Sequence, residues 1–153
     1  KGYTETAALL LDRGVDVNAT DDEGRTALMD AATRAESDTV ALLLDHGADV
    51  NTRDSDGRTA LMFAAMLDDT DTARLLLDHG AAADAVDKRG VTAQMHAVVV
   101  GGETEALLRA AQEASELAAA LPPAHDDPMD RPARRPSGTR EPEQSSPSRR
   151  PRL

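Results

Sequence analysis

The sequence predicts an all-α solenoid, built from stacked helix–turn–helix repeats with connecting turns and followed by a disordered C-terminal tail. Three observations carry this expectation. Slid back by 33 residues, the stretch Asp54–Val86 falls on Asp21–Arg53 with 18 of 33 positions identical. Single residues keep the same beat over a longer span: Gly24, Gly57 and Gly90; Gly14, Gly47 and Gly80; Thr26, Thr59 and Thr92; Leu9, Leu42, Leu75 and Leu108. All 8 prolines lie in residues 122–153, beyond the periodic part. A fixed period of this length marks units that bury their apolar faces only by stacking on one another.

Each segment of the unit has a physical reason. Asp54-x-x-Gly57-x-Thr59 reads as a turn leading into a helix start, with the Thr hydroxyl placed to cap the first turn. Ala60 to Met66 follows as a short helix, whose Ala64 and Ala65 let a second helix approach closely. That second helix is expected over Asp71–Asp78, with Leu75, Leu76 and Leu77 as its buried run. His79-Gly80-Ala81 stops it, since glycine takes the left-handed conformation cheaply after the last helical residue.

Taken in order, residues 1–121 form the repeats: a partial repeat 1–19, full repeats 20–52 and 53–85, and a degenerate capping repeat 86–121. The partial repeat is only a second half, agreeing with Ala35–Thr52 at 10 of 18 positions, and its helix is expected over Thr4–Asp12. Its inner side would stand open, so the chain reads as a fragment or as one whose start lies upstream. In the capping repeat Gln94 replaces Leu, Arg109 and Ala110 replace two leucines, and Glu113 stands where the stop glycine belongs. Its last helix should therefore run from about Glu103 towards Leu121, ending before Pro122, with Arg109, Gln112, Glu113 and Glu116 on a polar outer face. Residues 122–153, rich in Pro, Arg and Ser, cannot bury enough apolar surface to offset the entropy of ordering.

These residues resemble the ankyrin repeat, whose pattern is approximately D-x-x-G-x-T-P-L-H-x-A-A…V-x-L-L-L-x-x-G-A-D-V-N. Asp21, Gly24, Thr26, Leu28, Ala31, Ala32, Val40, Leu42 to Leu44 and Gly47 to Asn51 match it in place. The resemblance covers Gly2 to about Leu108. It departs at Thr26–Met29 and Thr59–Met62, where Thr-Ala-Leu-Met replaces Thr-Pro-Leu-His, so the turn loses both the fixed φ of Pro and the His hydrogen bonds.

Composition and motifs exclude most chemistry. There is no Cys, hence no disulfide framework and no thiolate. His46 and His79 stand one period apart in the last turn before a stop glycine, where a cation complements the helix dipole; His96 and His125 stand alone. No spacing suits a zinc site, no phosphate-binding glycine motif accompanies Gly101-Gly102, and the acid pairs fall on turns or in the tail. No catalytic group, cofactor, metal or small-molecule substrate is therefore expected. Residues 1–121 carry 10 basic and 23 acidic residues, a balance that repels phosphate and disfavours nucleic acid. No apolar run is long enough to span a bilayer and no signal peptide is present, so no membrane partner and a cytoplasmic location are the expectation.

What remains is a surface. The resemblance implies a non-catalytic module that holds a protein partner on a concave face, formed by turn tips and the exposed side of the first helices. The corresponding positions are Asp22, Glu23 and Arg25; Ser55, Asp56 and Arg58; and Lys88, Arg89 and Val91 on the tips. On the helices they are Thr33 and Arg34, then Phe63, Met66 and Leu67, then Val99 and Val100. Asp30, Phe63 and His96 are equivalent positions with unrelated chemistry. The basic tail, with Pro-x-Arg-Arg-Pro at Pro132–Pro136 and Pro147–Pro151, is a further expected partner for the acidic tips. The alternative reading is a structural segment of a longer array, or a cap on an attached domain.

Overall fold

The computed structural model describes residues 2–121, so the expected tail and its contact with the tips lie outside the described residues. The described part holds seven helices and no strand: α1 (Gly2–Asp12), α2 (Ala27–Thr33), α3 (Ser37–Asp45), α4 (Ala60–Met66), α5 (Thr70–Asp78), α6 (Ala93–Val100) and α7 (Glu103–Ala120). Helices α2, α4 and α6 lie side by side in one layer, and α1, α3, α5 and α7 in a second; α2 pairs with α3, α4 with α5 and α6 with α7. The core between the layers is aliphatic. Leu28, Met29, Leu61, Met62, Leu76 and Leu108 are its largest fully buried side chains. At about 1.5–3 kcal/mol for each such side chain, burial of this kind makes up for a sequence with only two aromatic residues, Tyr3 and Phe63.

Local chemistry sets the helix ends. The Thr26 and Thr92 hydroxyls accept from the Met29 and Met95 amides at 3.4 and 3.2 Å. Thr59 departs from the expected capping: its hydroxyl is buried and makes no hydrogen bond. Helix α5 begins at Thr70, one residue before the expected start, because the Asp69 carboxylate caps it by accepting from the Thr72 amide at 3.2 Å. Gly47 and Gly80 end α3 and α5 with φ of 82° and 86°. Beyond each, an alanine amide closes the turn onto the chain five residues back, Ala48 to Leu43 and Ala81 to Leu76, both at 3.0 Å.

Two hydrogen-bond ladders tie successive repeats. At the starts of the second-layer helices, hydroxyls pair across repeats: Thr4 with Thr39 at 2.7 Å, Thr72 with Ser37 at 3.4 Å and Thr70 with Thr104 at 3.0 Å. Below them, Asn18 accepts from the Asp49 amide at 2.7 Å, and Asn51 from the Ala82 amide at 2.9 Å.

The last repeat keeps a different register from the one the 33-residue period implies. Thr104, not Glu105, takes the buried place of Thr39 and Thr72, and Leu108 takes that of Leu43 and Leu76. The second helix has thus moved by one residue, so Leu107 and Leu108 stand for Leu75 and Leu76 and Arg109 for Leu77; the run loses one leucine, not the two the fixed period implies. The cause lies at the helix start. In α5 the cap is the helix's own Asp69, whereas in α7 that place is Gly102 and the Thr104 amide is capped by Asp68 of the preceding repeat at 3.0 Å. A side chain at Gly102 would collide with the Asp68 carboxylate. Helix α7 passes Glu113 without a stop and continues to Ala120, as expected.

Candidate interaction surface

Each turn tip is organised by one aspartate. The Asp21 carboxylate accepts from the amides of Glu23 and Arg25 at 3.0 and 2.8 Å. Asp54 does the same for Asp56 and Arg58 at 2.9 and 2.8 Å, and Asp87 for Arg89 and Val91 at 2.8 and 2.9 Å. The Arg25 amide, above all, holds the Asp21 carboxyl below the ordinary range, and the Val91 amide does this for Asp87. The second oxygen of each carboxylate takes a guanidinium. Arg25 and Arg58 reach Asp21 and Asp54 through Nε at 3.0 and 2.9 Å. In the third tip Val91 stands where those arginines stand, and Arg89 reaches Asp87 instead at 3.2 Å.

The tips are joined to one another through backbone. The Ser55 amide donates to the Glu23 carbonyl at 2.8 Å, and the Lys88 amide to the Asp56 carbonyl at 2.9 Å. Gly57 sits where this contact is tightest: with φ of 80°, a Cβ there would lie 3.1 Å from the Lys88 nitrogen.

The expected surface positions divide into three kinds. Asp22, Ser55 and Lys88 are exposed at equivalent places on the three tips. Arg25, Arg58 and Arg89 are engaged by their own tip's carboxylates, and Glu23 and Asp56 join the first two at 3.3 and 3.0 Å. Val91 is half-buried. On the helices, the Thr33 hydroxyl donates to the Met29 carbonyl at 2.8 Å; Arg34 pairs with Asp30 at 3.1 Å and lies over the Tyr3 ring, 5.1 Å from its centroid. Met66, Leu67, Val99 and Val100 are exposed apolar side chains, Val99 to 87%. Phe63 is placed differently from its neighbours. It is only 8% exposed, with the Arg58 guanidinium 5.0 Å from its ring centroid, so it supports the tip arginine from below.

The histidines show no catalytic grouping. The Nδ1 atoms of His46 and His79 bond the Leu42 and Leu75 carbonyls at 2.9 and 2.8 Å, closing helix ends. His96 is largely covered, its Nε2 3.9 Å from Asp87 and without a hydrogen bond. Among the described residues no cluster of His, Asp and Glu could hold a metal ion, and no helix is long and apolar enough to cross a membrane.

Two family models match this architecture. One, of ankyrin repeats in many copies, covers residues 10–64; the other, of three ankyrin copies, covers residues 51–119. The chain belongs to the ankyrin-repeat family. A comparison with curated proteins returned no match. Ankyrin repeats are generally protein–protein interaction modules and typically non-catalytic. The buried methionines explain how this ankyrin stack does without the family's histidine: Met29 and Met62, at its position, fill the core instead.

Proposed function

We propose that this chain is a non-catalytic binding module that holds a protein partner on the face formed by the turn tips and the exposed sides of α2, α4 and α6. One observation carries the reading. Met66, Leu67, Val99 and Val100 are exposed apolar residues at the C-terminal ends of α4 and α6, at positions the stack does not use for packing, on the helices into which a hydrogen-bonded row of tips leads. Apolar side chains kept together on a surface of charged tips mark an interaction site. Asp22, Glu23, Arg25, Ser55, Asp56, Arg58, Lys88, Arg89 and Val91 rim the site, with Thr33 and Arg34 at one end. The test is to select binding peptides from a displayed library against the full chain, then measure their affinity for the Met66→Glu, Leu67→Lys double variant. Loss of about tenfold or more with unchanged helical circular dichroism is the expected result. Full affinity in the variant would overturn the reading.

A second reading rests on α1. Tyr3, Leu9 and Leu10 are exposed on a helix that, among the described residues, has no first-layer partner of its own repeat as α3, α5 and α7 each have. In this reading the repeats extend an array or cap another domain through that face. Fusing a copy of residues 54–67 ahead of Gly2 tests it. A higher urea midpoint supports stacking on α1, and an unchanged midpoint speaks against it.

A further inference from the structure

The tips carry a feature that apolar docking alone does not use. At the foremost equivalent position the three tips read Asp22, Ser55, Lys88, which is acid, neutral, base. All three side chains are exposed. Backbone hydrogen bonds of 2.8 and 2.9 Å between adjacent tips fix them as a row. The other tip charges run the same way: one arginine serves two carboxylates in each of the first two tips and one in the third, so the first two keep a surplus negative charge and the third does not. Arg25 is held by Asp21 and Glu23, Arg58 by Asp54 and Asp56, and Arg89 by Asp87. Neither Asp22 nor Lys88 has an ion-pair partner among the described residues. The helices that lead from the tips are graded too. Under the first tip α2 offers the matched pair Asp30–Arg34, while α4 and α6 offer Met66, Leu67, Val99 and Val100.

We infer that the row fixes the direction in which a partner lies. The partner is an amphipathic protein segment whose apolar residues rest on α4 and α6, with a basic end at Asp22 and an acidic end at Lys88. This rests on the binding face proposed above and adds its polarity. Exposed charges steer and orient more than they bind, so the signature is an orientation preference and not a gain in affinity. Reversing the segment would replace two attractions with two repulsions. For exposed charges that corresponds to an orientation ratio of about tenfold at low ionic strength.

The experiment uses the full chain and a synthetic peptide with two lysines at one end, two glutamates at the other and three leucines at helical spacing between. A nitroxide label is placed on its basic end. Paramagnetic broadening of backbone NMR signals then reports which tip the label approaches. The inference expects broadening at Asp22 and Glu23 in the native chain, and at Lys88 and Arg89 in the Asp22→Lys, Lys88→Asp double variant, whose net charge is unchanged. Salt near 1 M, where the screening length is about 3 Å, should even out the two tips while the leucines still hold the peptide. Binding with equal broadening of both tips at low salt, or broadening that stays in place after the charge exchange, overturns the inference and leaves the binding face standing. Failure of the peptide to perturb Met66, Leu67 and Val99 in any variant would overturn the face and the inference together.

Discussion

The middle repeat and the last repeat begin from nearly the same turn and bury very different amounts of themselves. Helix α4 has every residue from Ala60 to Ala65 buried, whereas α6 buries only Ala93 and Ala97. The clearest contrast is one residue type at one repeat position: Met62 is fully buried and Met95 is 54% exposed. The difference lies in the neighbours. Helix α4 is packed between α2 and α6, and α6 has an inner-layer neighbour only on the α4 side among the described residues. Burial in a stack is therefore a property of position in the array, and stability follows the interfaces more than the repeats themselves.

The contrast can be broken most directly by cutting back the same side chain at both places. Met62→Ala should cost about 2–5 kcal/mol, the usual range for emptying a fully buried methionine site. Met95→Ala should stay within about 0.5 kcal/mol, as surface substitutions do. Urea unfolding of the full chain measures both, and comparable losses would show that the last repeat is packed as tightly as the middle one.

The next effect concerns the stop glycine that the last repeat lacks. Gly80 has φ of 86° and open space around it, so a side chain there meets backbone strain alone. Gly80→Val should cost roughly 1–2 kcal/mol, clearly more than Asp78→Ala on the exposed end of the same helix. Equal urea midpoints for the two variants would remove the glycine from the account of how α5 ends.

A smaller effect separates the three loops between paired helices. Their equivalent residues Ala35, Asp68 and Gly101 all have positive φ, at 55°, 55° and 72°. Only the last is glycine. Ala35→Gly should raise stability by roughly 0.5 kcal/mol, the relief of left-handed strain exceeding the added chain entropy, and Gly101→Ala should lower it by a similar amount. Thermal midpoints moving in the same direction for both would contradict this.

How much of this was legible in the sequence follows the same division. In the middle repeat, propensity, period and neighbours agree: α4 spans Ala60–Met66 as the sequence implied, and Gly47 and Gly80 are left-handed. In the last repeat the fixed period misleads, because a cap moved across the repeat boundary. Gly102 beside an acidic residue 34 positions before it was a visible sign of that shift, though one that becomes readable only when a single-residue gap is allowed. Among the surface positions, exposure at Asp22, Ser55, Lys88, Met66 and Leu67 followed from the family resemblance. Phe63 did not: it is buried with the core of α4, and Arg58 lies over its ring from the turn. The tip arginines were also hard to read, as a charged side chain on a turn gives no sign that a carboxylate four residues earlier will hold it.

The smallest expected effect tests the moved cap itself. The Thr104 amide, and next its hydroxyl, hold the Asp68 carboxyl below the ordinary aspartate range. A pKa lowered by folding means that the ionised form contributes stability that is present above the ordinary value and is lost as pH falls through the folded one. Asp68→Asn keeps an accepting oxygen and a residue that tolerates positive φ, so it removes little except the charge. The native chain should then melt above the variant by a constant margin between about pH 5 and pH 8, and the margin should close below about pH 3. Asp21 and Asp87, also held low, lose their contribution over the same acid range in both proteins, so they cancel in the difference. The equivalent change at Asp69 makes the comparison, because that residue caps α5 from within its own repeat. If Asp68→Asn leaves the melting margin at zero at neutral pH while Asp69→Asn does not, the cap on α7 comes from Gly102 and the hydroxyl ladder alone. A margin for Asp68→Asn that closes in acid assigns it to the carboxylate reaching across the repeat boundary.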